Sequence, residues 1–206
     1  MKGAIFDLDG VIVDTAKYHY LAWRELAEEL GFEFKESDNE RLKGVSRMRS
    51  LEILLEVGGI IANEEEKQKM AQSKNERYVK MLDTLNKSEL LDGAEQYLKK
   101  LKNEGVLIAL GSASKNAPFI LDKLGISDLF DVIVDGNSVS RAKPDPEVFL
   151  KGVELLGLKP QDCCVFEDSQ AGIEAARCAG CSVIAVDKAG VLSDADKYIM
   201  ALGDLL

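Results

Sequence analysis

Short apolar runs alternate with longer amphipathic stretches over most of this chain. The apolar runs have the length of buried strands and lie at residues 4–6, 106–110, 132–134, 163–166 and 183–186. The intervening stretches carry apolar positions at helical spacing and are predicted as helices at residues 94–103, 116–124, 145–156, 170–179 and 195–202. Strands that alternate with helices are typical of a parallel sheet with right-handed crossovers, in which sites form at the carboxyl ends of the strands.

Residues 15–86, between the first two strands, show helical spacing only. Four helical stretches are separated by breaks, and the last opens at Asn63 with Glu66 three residues later, the pattern of a capping box. The sequence therefore predicts an α/β fold. A Rossmann-like parallel-sheet core is formed by residues 1–14 and 87–206, with an inserted four-helix cap domain at residues 15–86. The chain crossings near residues 14–15 and 85–91 would act as a pair of hinges.

Composition and charge narrow the class of partner. The chain has 206 residues, 46% hydrophobic and 30% charged, which is ordinary for a globular protein, and its net charge of -10 argues against nucleic acid. Residues 1–20 do not read as a signal peptide, because Asp7, Asp9 and Asp14 interrupt the apolar region. The sequence contains no run of 18 apolar residues, so a membrane-spanning helix is not expected. We therefore expect a cytoplasmic protein with a small-molecule partner, and a monomer because no long exposed apolar stripe is evident.

The four cysteines raise one competing interpretation, a zinc or redox module. Cys178 and Cys181 have the spacing of a redox motif, and four cysteines could bind zinc. Against this, Cys163 and Cys164 are neighbours in a predicted strand and would point to opposite faces, while Gly180 would stop the helix between the other two. Small buried hydrophobic side chains are the favoured identity.

Two carboxylates follow the first strand. Asp7 and Asp9 come just before Gly10, which can release the chain into a turn. Residues i and i+2 of an extended segment point to the same side, so both acids should face one cavity at the carboxyl end of the strand. Such carboxylates repel each other unless a cation lies between them, and oxygen ligands favour Mg²⁺. Taken alone, the pair could equally cap a turn.

Other segments bring polar groups to the same edge of the sheet. Ser112 follows the second strand in a run of small and polar residues, and a helix amino terminus comes next, which suits a phosphate. Lys143 lies in a proline loop before a helix, and Glu167 and Asp168 form a second acidic pair after the strand at 163–166. Each has a simpler explanation: a strand stop, a solvated charge or a helix N-cap. Together they fit magnesium-assisted phosphoryl transfer to a carboxylate nucleophile.

The order of these motifs resembles the haloacid dehalogenase superfamily over essentially the whole chain. The four matching motifs are, in chain order, Asp7-x-Asp9, Ser112, Lys143 and Glu167-Asp168. The resemblance implies that Asp7 is the nucleophile, which forms an aspartyl-phosphate, and that Asp9 is the general acid and base. Ser112 and Lys143 would hold the phosphoryl oxygens. A Mg²⁺ cofactor would be held by Asp7, the backbone carbonyl of Asp9, Glu167 and Asp168.

A narrower resemblance, to the sugar-phosphate mutases of the helical-cap subfamily, rests on the inserted block. The matching segments lie at residues 15–19, 23, 42–47, 74, 112–116 and 167–172. It implies interconversion of β-glucose 1-phosphate and glucose 6-phosphate through β-glucose 1,6-bisphosphate, with water excluded by a closing cap. The implied substrate-binding residues are Lys43, Gly44, Arg47, Lys74, Ser114, Lys115, Asn116 and Trp23. Arg47 and residues 114–116 would clamp the phosphate that is not transferred. A magnesium-dependent phosphatase of small sugar phosphates is the alternative, and it would not need that clamp.

Three residues of the inserted block are open to more than one interpretation. His19 is the only histidine, and a lone helical histidine is more often structural. The resemblance instead implies a catalytic His19 that hydrogen-bonds to Asp9 or to the hinge backbone. Trp23, one helical turn later, is expected in the core with partial lining of the cavity. Lys74 is expected to be exposed, and only the resemblance places it near the sugar.

Overall fold

Six parallel strands form one sheet in the computed structural model, which describes residues 1–42 and 44–206. The strands are β1 (Gly3–Phe6), β2 (Leu107–Gly111), β3 (Val132–Val134), β4 (Cys163–Glu167), β5 (Ser182–Val186) and β6 (Lys197–Ile199). Their order across the sheet is β3-β2-β1-β4-β5-β6, and every neighbouring pair is parallel. Because the chain moves outward from β1 first to one side and then to the other, a crevice forms at the carboxyl end of β1.

The described helices alternate with these strands, apart from a block between β1 and β2. That block holds α1 (Ala16–Glu29), α2 (Glu36–Asn39), α3 (Arg47–Gly58) and α4 (Glu64–Met81), called the cap helices below. The remaining helices are α5 (Ala94–Asn103), α6 (Ala117–Leu124), α7 (Glu147–Leu155) and α8 (Gln170–Cys178). The predicted parallel sheet with a helical insertion is confirmed. None of the helices in the described residues is both long and apolar enough to span a lipid bilayer.

Alternation along the buried strands divides the apolar residues between two layers. Phe6 of β1 packs in the layer that contains α5 and α6, and its ring stacks on that of Phe166 with centroids 4.4 Å apart. Ile5 points the other way and packs in the layer that contains α7 and α8. Each fully buried side chain of this size contributes about 1.5–3 kcal/mol to folding. Cys163 and Cys164 lie in opposite layers, as predicted.

The four cysteines are free thiols, and three of them are buried as predicted. Cys178 is the exception, because it lies exposed at the last position of α8. Burial raises the pKa of the Cys181 thiol to about 12. The buried thiols therefore behave as small apolar side chains.

The predicted helix at residues 195–202 is wrong. Residues Lys197–Ile199 form β6, which pairs with β5, so that Tyr198 lies opposite Ala185 and Ile199 opposite Val186. A single turn of 3₁₀ helix follows at Leu202–Leu205. Tyr and Ile favour strands, and the unpaired edge of β5 outweighed the weak helical spacing of this short segment.

The cap helices have an apolar cluster of their own. Trp23 and Leu26 of α1, Leu51 and Leu54 of α3, and Ala71 of α4 are buried together. At the start of α4 the predicted capping box is present: Glu66 N donates to Asn63 Oδ1 and Asn63 N donates to Glu66 Oε2. The cap helices are therefore stabilised both by local capping and by an apolar cluster of their own.

The two chain segments that join the cap helices to the sheet run side by side. Val13 and Leu90 form an antiparallel bridge, and the Leu91 N–H donates to the Ile12 carbonyl at 2.9 Å. The predicted pair of crossings near residues 14–15 and 85–91 therefore lies together in space, directly after the turn that carries Asp9.

Candidate active site

Three carboxylates gather where β1 and β4 end. Asp7 follows β1, Glu167 is the last residue of β4, and Asp168 comes next. One oxygen from each side chain lies within 4.8 Å of the other two. The strands are neighbours in register, with Phe6 beside Phe166, so their ends meet at one point of the sheet edge.

The ammonium group of Lys143 lies between two of these carboxylates. Its Nζ is 2.5 Å from Asp7 Oδ1 and also donates to Glu167 Oε1. Burial works against the charged form of Lys143, but Asp7 and Glu167 outweigh it and raise the pKa of Lys143. Burial raises the pKa of Asp7 to about 7, against the lowering effect of Lys143. A buried cation thus faces the predicted nucleophile, as phosphoryl transfer requires.

Glu167 is held firmly by the start of α8. Its Oε2 accepts hydrogen bonds from Asp168 N at 3.0 Å, Ser169 N at 3.0 Å and Ser169 Oγ at 2.9 Å. A methyl group at Gly172 would lie 2.0 Å from the Glu167 carboxylate, so only glycine lets this side chain fold back against the helix. The sequence signal for this arrangement is Gly172, the third residue of α8.

Gly10 plays the corresponding part for Asp168. Its φ of 81° is in the left-handed region, and a Cβ atom there would lie 2.0 Å from Asp168 Oδ2. The turn after β1 therefore needs glycine for both conformation and space.

The three carboxylates fit a magnesium site. They supply oxygen ligands only, and Gly10 and Gly172 leave the room that two of them occupy. Asp9 lies outside this carboxylate cluster, and its predicted contribution is through the backbone carbonyl. Asp7, Glu167 and Asp168 are thus brought together as the sequence predicts.

Asp9 is half-buried beside Asp7, and its Oδ1 is buried with no hydrogen-bond partner in residues 1–42 and 44–206. Burial and the neighbouring Asp7 charge raise the pKa of Asp9 to about 7, while Lys143 and Lys74 oppose the shift. A carboxyl group with such a pKa can hold or release a proton near neutral pH, which suits a general acid and base.

The loop after β2 is ordered by its own side chains. Ser112 is buried, and its Oγ accepts from Ser114 N at 3.1 Å. Ser114 Oγ in turn accepts from Asn116 N at 3.2 Å. Lys115 between them is exposed. The segment forms an internally hydrogen-bonded loop at the start of α6, next to the end of β1.

Sequence reasoning missed the turn that supports this loop, at the end of β3. Asn137 Nδ2 donates to the Lys115 carbonyl at 3.1 Å, and Gly136 N donates to the Ser114 carbonyl at 3.2 Å. Asp135 holds the turn by accepting from Asn137 N. The available signal was the position of Asp135, directly after a predicted strand, as for Asp7 and Ser112.

Lys74 is buried, with 2% of its surface exposed, so the expectation of an exposed side chain is wrong. Its Nζ lies 2.8 Å from Nδ1 of His19 and 4.5 Å from the ring centroid of Trp23. Among residues 1–42 and 44–206, the side-chain hydrogen bond of His19 is to Lys74, and the predicted bond to Asp9 or the hinge backbone is not found. Trp23 is in the cap core, as expected, with its ring face toward Lys74.

The remaining predicted residues lie on the first turn of α3 and just before it. Arg47 is half-buried, and its charge contributes to lowering the pKa values of Lys74 and His19. Gly44, with a φ of 72°, packs so closely that a Cβ atom would lie 2.5 Å from Ser169 Oγ. Lys43 lies outside the described residues.

Comparison with known proteins agrees with this geometry. A family model for haloacid dehalogenase-like hydrolases matches residues 1–180. A β-phosphoglucomutase of Bacillus subtilis is 43% identical over 100% of this chain and 92% of its own length. A phosphorylated carbohydrates phosphatase of Thermotoga maritima is 34% identical over 87% of this chain and 82% of its own. A crystal structure of β-phosphoglucomutase from Clostridium difficile, 42% identical, superposes with a TM-score of 0.96 and covers 100% of this chain and 93% of that one. The chain belongs to the haloacid dehalogenase-like hydrolase family.

Proposed function

We propose that this protein is an isomerase, a β-phosphoglucomutase that interconverts β-D-glucose 1-phosphate and β-D-glucose 6-phosphate. The reaction would pass through an aspartyl-phosphate and β-glucose 1,6-bisphosphate. Support comes from full-length relatives of that activity in two organisms. The observation that carries the proposal is the half-buried Asp9 carboxyl beside Asp7, which has a raised pKa and a buried oxygen that meets no donor in the part of the chain that the structure describes.

The first transfer uses Asp7 as the nucleophile. Its carboxylate oxygen forms a bond to phosphorus of the bisphosphate, the bond from phosphorus to the sugar oxygen breaks, and Asp9 gives its proton to that oxygen. In the second transfer Asp9 takes the proton back from a hydroxyl of the incoming sugar phosphate, which attacks the aspartyl-phosphate. The bisphosphate formed in the second transfer can reverse its orientation before the next first transfer, so that either phosphate can face Asp7.

Charge on the transferring group is offset by fixed groups of the site. Lys143 already faces Asp7, and Ser112 lies at the end of the adjacent strand. Asp7, Glu167, Asp168 and the Asp9 carbonyl would hold Mg²⁺, which when bound lowers the charge on the phosphoryl oxygens. Enclosed donors of this kind stabilise the transition state more than the ground state.

The second phosphate would be held between the cap and the loop after β2. Residues 15–86 form the cap domain in this proposal, and residues 1–14 and 87–206 form the core. The clamp consists of Arg47, Ser114, Lys115 and Asn116, with Lys43, Gly44, Lys74, His19 and Trp23 around the sugar. Closure of the cap would keep water from the aspartyl-phosphate. A cytoplasmic monomer that does not bind nucleic acid remains the prediction.

A coupled assay tests the proposal. The protein is mixed with Mg²⁺, β-glucose 1-phosphate and a trace of β-glucose 1,6-bisphosphate, and glucose 6-phosphate is followed together with free phosphate. The α anomer is run in parallel. Glucose 6-phosphate from the β anomer alone supports the mutase, and this product should be lost in the Asp7→Asn variant. Free phosphate without glucose 6-phosphate would instead support the alternative, a sugar-phosphate phosphatase.

A further inference from the structure

One hydrogen bond joins the middle of α4 directly to the loop after β2. Asn116 Nδ2 donates to Oδ1 of Asn75 at 2.9 Å, and both side chains are half-buried. Asn116 occupies the N-cap position of α6, yet its side chain makes no capping bond there. Asparagine is favoured at N-caps because it can make that bond, so here the amide serves the contact with α4 instead.

The contact extends into the loop that the proposed function uses for phosphate. Asn116 N donates to Ser114 Oγ, and Ser114 N donates to Ser112 Oγ. A chain of hydrogen bonds therefore runs from Asn75 on the cap to Ser112 at the end of β2. Groups linked in this way restrict one another's orientation.

The same stretch of α4 also acts on the general acid and base. Lys74, next to Asn75, contacts His19 at 2.8 Å, and its charge acts on the Asp9 carboxyl. Asn75 thus follows Lys74, whose charge acts on the general acid and base, and contacts the loop proposed to hold the second phosphate. A shift of α4 relative to this loop would therefore change both the position of Lys74 relative to Asp9 and the support of the loop after β2.

We propose that Asn75 is a positioning residue, which acts through Asn116 to seat the cap helices on the loop after β2. This inference rests on the proposed function, because its consequence is stated for the aspartyl-phosphate. With the contact in place, the phosphoryl group passes to a sugar; without it, a larger share passes to water. Asn75 touches neither the phosphate nor the sugar in this account.

The test uses the wild-type protein and five variants. Asn75→Ala removes the acceptor, and Asn75→Asp keeps an acceptor oxygen for Asn116. Asn116→Ala removes the donor. The variant with both Asn75→Ala and Asn116→Ala completes a double-mutant cycle. Gln72→Ala is the matched control, because Gln72 is an exposed amide on the same helix whose side chain bonds only to Glu76 among the described residues. Each protein is assayed for the ratio of free phosphate to glucose 6-phosphate and for kcat/KM, and each is checked for cooperative unfolding in urea.

We expect Asn75→Ala to raise the share of phosphate released to water about fivefold, the effect of one lost hydrogen bond. Asn75→Asp should restore most of the wild-type ratio, and Gln72→Ala should match wild type. Because Asn75 acts through Asn116, Asn75→Ala should have little further effect in the Asn116→Ala background. A ratio in Asn75→Ala equal to that in Gln72→Ala, or effects of the two substitutions that simply multiply, would overturn the proposal.

Failure of the proposed function has a different signature. A wild-type protein that makes no glucose 6-phosphate contradicts the mutase assignment, and the cycle is then scored on kcat/KM for phosphate release. Non-additive losses in that measurement would still support the positioning role of Asn75, and additive losses would reject it. If Asn75→Ala does not unfold cooperatively, Asn75→Leu, which has a similar shape but no hydrogen-bonding group, replaces it in the cycle, and the same two outcomes support or overturn the proposal.

Discussion

Lys74 Nζ lies 2.8 Å from His19 Nδ1, inside the cap and against the ring of Tyr78. Burial lowers the pKa of Lys74 well below its usual range, and the charge of Arg47 lowers it further, while Asp9 opposes the shift. Burial, followed by the charges of Lys74 and Arg47, lowers the pKa of His19 in the same way. The imidazole is therefore neutral at physiological pH and can accept a hydrogen bond from the lysine.

The first prediction concerns the pH dependence of stability. Since the folded-state pKa of His19 is below the unfolded value of 6.5, the unfolded chain binds a proton first as the pH falls. The contribution of a neutral His19 is therefore present above about pH 6.5 and is lost below it, by up to about 1.4 kcal/mol per pH unit. Relative to His19→Gln, wild type should lose unfolding free energy between pH 7 and 5.5. Urea unfolding across this range measures the difference.

His19 is the only histidine, so no other imidazole contributes to this difference. Carboxylates titrate in both proteins and cancel in the comparison. Parallel curves of unfolding free energy against pH for wild type and His19→Gln would show that His19 is not held neutral.

The second prediction separates stability from activity at Lys74. Lys74→Met replaces a buried ammonium by an apolar chain of similar length, which removes the cost of burying the charge but leaves His19 Nδ1 without its donor, so the unfolding free energy should change by no more than about 1 kcal/mol. The same change removes a cation that faces the cleft, so kcat/KM should fall about tenfold or more. Chemical unfolding and the coupled assay measure the two effects. A variant that loses much more stability than this and stays fully active would contradict the account of this lysine.

The third prediction assigns a supporting role to Glu147, at the start of α7. Its carboxylate accepts from Ser140 N at 2.9 Å and Arg141 N at 2.7 Å, and these bonds lower the pKa of Glu147 to about 2. The loop that they hold carries Lys143 into the site. Glu147→Ala should reduce kcat about tenfold, because the loop that positions Lys143 becomes more mobile. This is a typical effect of removing a residue that orients a site residue without touching the substrate.

The control for Glu147 is Glu154→Ala, an exposed acid on the same helix, which should leave kcat unchanged. Because the folded pKa of Glu147 is below its ordinary value of 4.5, its support persists above that pH and is lost as the pH falls toward 2. Equal kcat values for Glu147→Ala and Glu154→Ala at pH 7 would show that Glu147 does not support the loop that carries Lys143.

The fourth prediction compares two buried helical glycines. A methyl group at Gly172 would collide with the Glu167 carboxylate at 2.0 Å, whereas one at Gly152 would meet side chains at ordinary distances of 3.6 Å or more. Gly172→Ala should raise the Mg²⁺ concentration for half-maximal rate about tenfold or more, since a predicted ligand is displaced. Gly152→Ala should keep the metal dependence and gain about 0.5–1 kcal/mol of stability. The two magnesium titrations would agree if Glu167 had no part in metal binding.

The sheet and most of its helices were predictable because the pattern there depends on neighbours along the chain. Buried strands are apolar throughout, and parallel strands deliver their ends to one edge, which placed Asp7, Ser112 and Glu167 correctly. The error at β6 arose where a short segment paired with the free edge of β5. A pairing partner outweighs local spacing in such a segment, and the sequence alone does not reveal which edge is free.

The surroundings of individual side chains were harder to predict. The sequence of α4 is strongly polar, so a buried Lys74 could not be inferred until α1 and α4 were packed and His19 faced it. Asn75 and Asn116 likewise come from elements far apart in the chain. Their contact depends on how the cap helices meet the sheet, which is a property of tertiary structure.

The most direct measurement follows one phosphoryl group. The protein is treated with β-glucose 1,6-bisphosphate carrying ³²P, passed over a short desalting column, and mixed at once with Mg²⁺ and unlabelled β-glucose 1-phosphate, with water alone as the second arm. A mutase predicts that label on the protein, absent in Asp7→Asn, moves mainly to sugar bisphosphate and glucose 6-phosphate. Label that moves to inorganic phosphate at the same rate with or without the sugar would contradict it.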